Sequence, residues 1–218
     1  MAKTKLLAAL GAAATMAAAS AAQASTVTLT EQTPGDLFAN LGWFETVTVS
    51  TDSGVSTQNF NAGAFELNDG MRDLLAFCLD PETFLNLGED FDTMVTAAKW
   101  DTVLTEIDKL FTSSYSLVNS AETAAGFQIA LWEIIIDQGG TMDITDGIFR
   151  ASASVGAEAF ANMALMALAS AGTGGFNFTT YVNSGQDLIN AEAVPVPAAV
   201  LLMAPVLGGL AMRKRRKA

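Results

Sequence analysis

The segment Ala121–Asp137, AETAAGFQIALWEIIID, carries the strongest structural signal in this sequence. Apolar residues occupy most of its positions, and Gly139-Gly140 follow it as a helix stop. We therefore predict a largely buried helix over this segment. Gln128 is the one strongly polar side chain within Ala124–Leu131.

The chain on either side of this helix mixes strand and helix patterns. Apolar spacing of about 3.6 residues predicts further helices within Phe91–Phe111 and Phe149–Ala169. Alternating or continuous apolar runs predict strands at Thr26–Thr30, Glu45–Val49, Leu74–Leu79 (or a helix end) and Phe176–Val182, the last as a final strand. The expected fold is a single α+β domain, with an N-terminal β-rich part followed by several helices.

The residue types narrow the available chemistry. The 218-residue chain has no histidine, which excludes Cys-His and Ser-His-Asp catalysis and imidazole metal sites. Cys78 is its one cysteine, so no intramolecular disulfide can form. Three interpretations of this thiol stay open: a buried inert side chain, an intermolecular disulfide, and a thiol consumed in another covalent bond.

The sequence around the cysteine favours the third interpretation. Cys78 lies in Phe77-Cys78-Leu79-Asp80-Pro81, and Gln128 and Trp132 share a face of the predicted helix. The two segments resemble the signature segments of bacterial thioester domains, which are aromatic-Cys-aliphatic-Asp and apolar-Gln-x-x-x-Trp. The resemblance implies that the Cys78 thiol condenses with the Gln128 carboxamide and that ammonia is lost.

The neighbours of such a bond would have defined tasks. Phe77, Phe127 and Trp132 would form an apolar cage that excludes water, and Asp80 or Glu133 could relay protons. A lysine amine or a carbohydrate hydroxyl on a partner surface could then attack the thioester carbonyl. This chemistry needs no cofactor, and it describes a covalent adhesin rather than an enzyme.

The first 24 residues have the three parts of a secretion signal. Lys3 and Lys5 form a basic start, Leu6–Ala19 is an uncharged apolar run, and Ala22-Gln23-Ala24 is a small-x-small cleavage pattern. The apolar run is too short to span a bilayer comfortably. We predict a cleaved signal peptide over residues 1–24 and an extracellular domain over residues 25–192.

The last residues, 193–218, combine a proline motif, an apolar span and a basic cluster. Val194-Pro195-Val196-Pro197-Ala198 opens a stretch that is long enough to cross a membrane, and Arg213–Lys217 follows it. The pattern resembles the PEP-CTERM class of sorting signals, and most of all its VPLPA (VPLPA-CTERM) subtype, with Val196 in place of leucine. The resemblance implies an exosortase-type protease as a partner, transient anchoring in the inner membrane, and delivery to the outer surface or extracellular matrix of a Gram-negative bacterium. A plain C-terminal anchor is the alternative.

The predicted domain is strongly acidic. It holds all 23 acidic residues but only four of the 11 basic ones, which gives a formal charge of −19. Such a surface repels nucleic acid and anionic membranes, so membrane contact is expected only through the tail. Asp143 and Asp146 lie in a glycine-containing loop that could offer oxygens to calcium, but their spacing does not match an EF-hand, and we assign no metal site.

Three classes of function stay open. The first is a covalent adhesin or matrix cross-linker that uses a Cys78–Gln128 thioester. The second is a non-covalent structural protein of the cell surface or biofilm matrix, with an inert cysteine. The third, ranked last, is an exported hydrolase that uses carboxylates.

The two terminal signals predict how the native host processes the protein. Mature protein recovered from that host should begin at Ser25 and should lack Arg213–Lys217. N-terminal sequencing and the intact mass of surface-localised protein check both ends. An intact basic cluster on surface-localised protein would show that the tail is only an anchor.

Overall fold

The computed structural model describes residues 25–31, 37–38, 41–85, 87–94 and 98–195. The predicted signal peptide and most of the predicted sorting tail, including Val196, Pro197 and Ala198, lie outside these residues. Within the described chain, no helix is both long and apolar enough to span a membrane.

Within the described chain, seven strands come first, and two α-helices, one strand, a third α-helix and two final strands follow. The strands are β1 Ser25–Thr28, β2 Thr30–Glu31, β3 Phe44–Ser50, β4 Gln58–Gly63, β5 Phe65–Asn68, β6 Asp73–Cys78, β7 Asp90–Met94, β8 Arg150–Ser152, β9 Phe176–Val182 and β10 Leu188–Ala193. The α-helices are α1 Leu104–Ser114, α2 Ala121–Ile136 and α3 Val155–Ala167, and short 3₁₀ helices cover Ala98–Trp100 and Tyr115–Leu117.

The strands pair antiparallel in two sheets. The large sheet has the order β1-β7-β9-β10-β6-β5-β2, and the small sheet has the order β4-β3-β8. The β9–β10 hairpin lies in the large sheet between β7 and β6. Helix α2 packs against the small sheet and against α3, and buried side chains from both sheets and from all three α-helices form one hydrophobic core.

The α+β class and the single domain are confirmed, but the order of elements differs from the prediction. Strands β8, β9 and β10 follow helices, so the fold is not a β-rich half followed by a helical half. Phe176–Val182 is a strand as predicted, but it is not the final one, because β10 pairs with it along its length. The pattern of β10 is hidden because Asn190 interrupts its apolar run, and the structure buries that side chain in a hydrogen bond of 2.7 Å to the Leu75 carbonyl.

The sheet also extends to the start of the predicted tail. Ala193 pairs with Phe176 in β10, and the Val194 N–H donates to the Gly175 carbonyl at 3.0 Å. Of the sorting motif, Val194 and Pro195 are described, and both are exposed just beyond this strand.

The helix prediction for Phe91–Phe111 is wrong over its first part. Asp90–Met94 forms β7, where Phe91 is buried and Asp92 is exposed, which is the alternation of a strand. Helix α1 begins only at Leu104. The apolar residues of β7 and of α1 happen to lie at spacings near 3.6 residues, and this spacing predicted helix over the whole segment.

The helix predicted within Phe149–Ala169 is shorter than expected for a related reason. Its first residues form β8, which pairs with β3. Ser154 then starts α3, because its Oγ accepts the Ala157 N–H at 3.2 Å as an N-cap.

The predicted buried helix is confirmed as α2. Ser120 and Thr123 cap its start reciprocally: the Thr123 N–H donates to Ser120 Oγ at 3.2 Å, and the Ser120 N–H donates to Thr123 Oγ1 at 2.9 Å. Every side chain from Ala124 to Ile135 is buried. Gly126 permits close contact with α3, because a Cβ at this position would lie 2.5 Å from the Ala157 carbonyl oxygen.

Replacing Gly126 with alanine should therefore destabilise the fold. The added methyl group would collide with Ala157 and with Phe160, whose Cβ would lie 2.8 Å away. We expect a loss of about 1–3 kcal/mol in the free energy of unfolding, measured by chemical denaturation. Gly172→Ala is the matched control, because a Cβ there meets nothing within 4 Å. Wild-type stability in Gly126→Ala would contradict the tight α2–α3 contact.

Candidate functional site

Cys78 is the last residue of β6, in the interior of the large sheet. On one side it faces β10, where Leu188 stands opposite it and the Leu79 N–H donates to the Asp187 carbonyl at 2.8 Å. In an antiparallel strand, the peptide groups of successive residues point to opposite sides. The N–H and C=O of Cys78 itself therefore point away from β10, towards the β5 side.

Within the described chain, no strand residue meets these two groups on the β5 side. The pairing of β5 with β6 ends where Phe65 stands opposite Ala76. The preceding strand, β4, belongs to the small sheet, where Gly63 stands opposite Phe44. A buried peptide group that is left without a partner costs about 1–3 kcal/mol, so this gap in the sheet has to be filled.

The side chain of Gln128 fills the gap. The Cys78 N–H donates to Gln128 Oε1 at 2.8 Å, and Gln128 Nε2 donates to the Cys78 carbonyl at 2.8 Å. The carboxamide thus pairs with the peptide of Cys78 as a neighbouring strand residue would. Each of the two residues is only 1% exposed. Both hydrogen bonds use main-chain atoms of Cys78, so the carboxamide is held beside this residue while the thiol takes no part.

The thiol of Cys78 lies in an apolar and negatively charged environment. Burial strongly raises its pKa, and the carboxylates of Asp80 and Asp187 raise it further. The indole N–H of Trp132 and the amide N–H of Asp80 oppose this rise. The Trp132 indole nitrogen is nevertheless buried without a hydrogen bond of normal geometry to any described residue. The thiol is therefore protonated at neutral pH and lies beside an uncommitted N–H donor.

Aromatic rings form two buried clusters next to the pair. The ring centroids of Phe77 and Phe127 are 4.8 Å apart. Trp132 packs against Phe60 at 6.3 Å and against Phe149 at 6.4 Å between ring centroids. All three residues predicted to form the cage are buried. The structure therefore keeps bulk water away from the carboxamide.

An ion cluster that the sequence pattern does not indicate adjoins the thiol. Lys99 Nζ lies 3.3 Å from Asp80 Oδ2 and 3.1 Å from Asp187 Oδ2. Asp187 is buried, whereas Lys99 is exposed, with its ammonium 4.4 Å from the centroid of the Trp100 ring. Asp187 reaches this site through the pairing of β10 with β6, a long-range register that no local motif predicts.

Gln186 ties the loop after Cys78 to the start of β10. Its Nε2 donates to the carbonyl of Asp80 at 3.3 Å and to that of Thr83 at 3.2 Å. Its own N–H donates to the Phe84 carbonyl at 3.0 Å. This loop is therefore held in place by hydrogen bonds outside the sheet ladder.

Glu133 lies in a different environment. Its Oε1 accepts the Asp143 N–H at 2.9 Å, and its Oε2 is buried with no partner among the described residues. Gln128 and Glu133 project from different sides of α2, because their spacing is not a multiple of the helical repeat. Burial, with the charges of Asp137 and Asp143, raises the pKa of Glu133 to about 7. Of the two predicted proton relays, the structure therefore places Asp80, and not Glu133, next to the thiol.

The acidic loop after α2 does not gather its carboxylates around a common point. Asp143 accepts hydrogen bonds from the N–H and hydroxyl of Thr145, and Asp146 pairs with Arg150 at 3.6 Å. In the part of the chain that the structure describes, no three acidic or thiol side chains are arranged to hold a metal ion. The calcium interpretation of this loop gains no support.

Comparison with known proteins adds little to this geometry. No protein-family model and no curated protein matches the chain. Among solved structures, the N-terminal domain of the Streptococcus pyogenes pilus tip adhesin Cpa is similar over 68% of this chain and 93% of that chain, with 12% sequence identity and a TM-score of 0.38. A TM-score this low does not establish a common fold.

The environment of Glu133 predicts a pH dependence of stability. Its pKa is about 7 in the folded protein against an ordinary value of 4.5, so the folded state holds the proton more tightly than the unfolded state does. The free energy of unfolding should therefore fall as the pH rises between these values, by up to about 3 kcal/mol. Glu133→Gln should flatten this slope in denaturation curves recorded across the window. Glu122→Gln, an exposed change on the same helix, should leave the slope intact, and an unchanged slope in Glu133→Gln would contradict the assignment.

Proposed function

We propose that this chain is an exported bacterial surface or matrix protein in which Cys78 and Gln128 condense to an internal thioester. The thioester then attaches the protein covalently to an amine or hydroxyl of a partner surface, as in an adhesin. The observation that carries the proposal is the Gln128 carboxamide, held against Cys78 by two hydrogen bonds of 2.8 Å in a buried, aromatic site. Holding two reacting groups in place can supply up to about 7–11 kcal/mol of a barrier.

The condensation needs no outside reagent. The sulfur of Cys78 attacks Cδ of Gln128, the C–N bond breaks, and the nitrogen leaves as ammonia together with the thiol proton. Negative charge develops on Oε1, which already accepts the Cys78 N–H, so a donor is in place where the charge forms. The uncommitted indole N–H of Trp132 is available to the sulfur as it loses its proton. Asp80, whose charge acts on the thiol, then passes that proton on.

The thioester is a stored acylating group. An incoming amine bonds to Cδ of Gln128, the C–S bond breaks, and the sulfur of Cys78 takes a proton from the amine. Each molecule can do this once, so the protein is a covalent ligand and not a turnover catalyst. The aromatic cage delays hydrolysis until a partner arrives.

The charge distribution favours a cationic partner. The predicted domain has a formal charge of −19, since it holds 23 acidic and four basic residues. Each of these four basic side chains is paired with a carboxylate in the structure: Arg72, Lys99, Lys109 and Arg150. Electrostatic complementarity steers oppositely charged surfaces together. A protein that carries accessible lysines is therefore the preferred partner, and a carbohydrate hydroxyl is the second choice.

The same two hydrogen bonds favour a second candidate function. Gln128 could act only to complete the hydrogen bonding of the sheet, with Cys78 as an inert buried thiol, a common state for cysteine. The protein would then be a non-covalent structural component of the surface or matrix. The two candidates differ by one covalent bond, and therefore by mass.

Intact mass of freshly purified protein separates the two. The thioester lowers the mass of the folded protein by about 17 Da relative to its processed sequence, through loss of ammonia. Methylamine should then bring the mass to about 14 Da above the sequence mass and expose one titratable thiol. An inert cysteine gives the full sequence mass, one thiol after unfolding, and no response to methylamine.

Cys78→Ala and Gln128→Ala should each abolish both mass effects, because neither partner can form the bond alone. Gln138→Ala, an exposed change just beyond the end of α2, is the control that should keep both effects. A deficit of 17 Da that coexists with a free Cys78 thiol would contradict the proposal, since about that mass is also lost when a lysine captures the amide. Glutamate at position 128 would reveal a thioester that hydrolysed during storage.

A further inference from the structure

A small polar cavity lies between the end of β3, strand β4 and the loop after β6. Its volume is about 110 Å³, and its lining includes Thr51, Ser56, Gln58, Phe60 and Glu82. Thr51 Oγ1 donates to Glu82 Oε1 at 2.7 Å, and this hydrogen bond links the end of β3 to the loop after β6 across the cavity. We refer to this space as the Glu82 cavity.

The Glu82 cavity adjoins the cage around the proposed thioester. Phe60 lines the cavity and packs against Trp132, with 6.3 Å between the ring centroids. Trp132 in turn lies close enough to the Cys78 thiol to affect its pKa. Glu82 belongs to the loop that begins directly after Cys78. The rings of Phe60 and Trp132 therefore lie between the cavity and the bond, and a nucleophile that enters through the cavity must pass along them.

We infer that the Glu82 cavity is the route by which a nucleophile reaches the bond, and that Glu82 selects a cationic primary amine such as a lysine side chain. This inference rests on the proposed thioester and names the residue that determines its specificity. Glu82 is exposed and accepts the hydrogen bond from Thr51 with one carboxylate oxygen, so its negative charge faces the cavity mouth from solvent.

Size and lining favour a lysine side chain over a sugar ring. Pockets for drug-sized ligands have volumes of about 300–1,000 Å³. A volume of about 110 Å³ lies well below this range, which suits the end of one side chain better than a ring with its substituents. The ammonium of an entering lysine can first meet the Glu82 carboxylate, and after it loses its proton the amine and the apolar stem can pass along Phe60 towards the bond.

A second cavity near the cage lacks these features. Its volume is about 220 Å³, and it lies on the side of Phe77, with Trp43, Leu75 and Tyr115 in its lining. None of its lining side chains carries a charge at neutral pH. An ammonium would lose its hydration there without gaining a counter-charge, which is unfavourable.

The proposed aminolysis is balanced in atoms and protons. The ammonium first gives one proton to the Glu82 carboxylate, which passes it to solvent. The free amine nitrogen then attacks Cδ of Gln128, the C–S bond breaks, and the sulfur of Cys78 takes a second proton from that nitrogen. The products are an amide cross-link, a free thiol and one released proton.

The test compares two nucleophiles on the full-length protein. Opening of the thioester is followed by intact mass with cadaverine, which is cationic, and with hydroxylamine, which is uncharged at neutral pH. Glu82→Gln keeps the size of the side chain and an acceptor for Thr51, but it removes the charge. This change should slow the opening of the thioester by cadaverine about 5- to 10-fold and leave the rate of opening by hydroxylamine unchanged. Glu89→Gln is the matched control, since it removes one exposed carboxylate elsewhere and should affect neither reaction.

Equal slowing of both nucleophiles by Glu82→Gln, or the same slowing by Glu89→Gln, would overturn the inference in favour of a non-specific charge effect. A second measurement tests binding to the cavity in a protein that cannot form the thioester. In Cys78→Ala, cadaverine should shift the amide NMR signals of Thr51 and Gln58, and the added Glu82→Gln change should abolish the shifts. Their absence, or shifts caused by glucose instead, would overturn the cavity assignment. If the wild-type protein shows no mass deficit but the Cys78→Ala variant shows these shifts, the thioester is overturned and the cavity assignment stands.

Discussion

The pairing of the Gln128 carboxamide with the peptide of Cys78 is the constraint on which the rest of the site depends. β4 and β5 follow each other in the chain but belong to different sheets, so β6 loses its neighbour at its last residue. Two buried peptide groups would be left without partners at this point. Gln128 provides a partner for both groups. These two hydrogen bonds therefore fix the position of α2 along its axis and its rotation about that axis relative to the sheets. The cage rings take their positions from this placement.

A structural role alone does not require the residue types found around this pairing. Both hydrogen bonds are made to main-chain atoms of Cys78. A glutamine that only completes the sheet could therefore form the same two bonds with any small residue at position 78. The position instead holds the one thiol of the chain, beside an uncommitted indole N–H and a compact ion cluster. The Asp187 charge in that cluster is buried, and burying a charge is costly unless it is paired. Lys99 provides the pairing and keeps the loop after Cys78 in place.

Sequence reasoning recovered those parts of the site that depend on local pattern. The apolar run around Gln128 required a buried helix, and the i to i+4 relation placed Trp132 on the side of the thiol. Contacts created by strand register were out of its reach: Asp187 and Gln186 arrive through β10, whose pattern Asn190 interrupts. Glu133 was predicted as one of two neighbouring carboxyl groups that could relay protons, but the helical turn directs it to the acidic loop. The strand β7 was read as helix because its apolar residues happened to continue the spacing of α1.

The most direct test of the central claim is the side-chain amide signal of Gln128 in a ¹H–¹⁵N spectrum of freshly purified, labelled protein. If Cys78 and Gln128 are joined as a thioester, the Gln128 side-chain NH₂ pair is missing from the wild-type spectrum. It then appears in Cys78→Ala, where the amide cannot be lost. A well-resolved, slowly exchanging Gln128 NH₂ pair in the wild-type protein would show that the amide only completes the sheet, and it would contradict the covalent account.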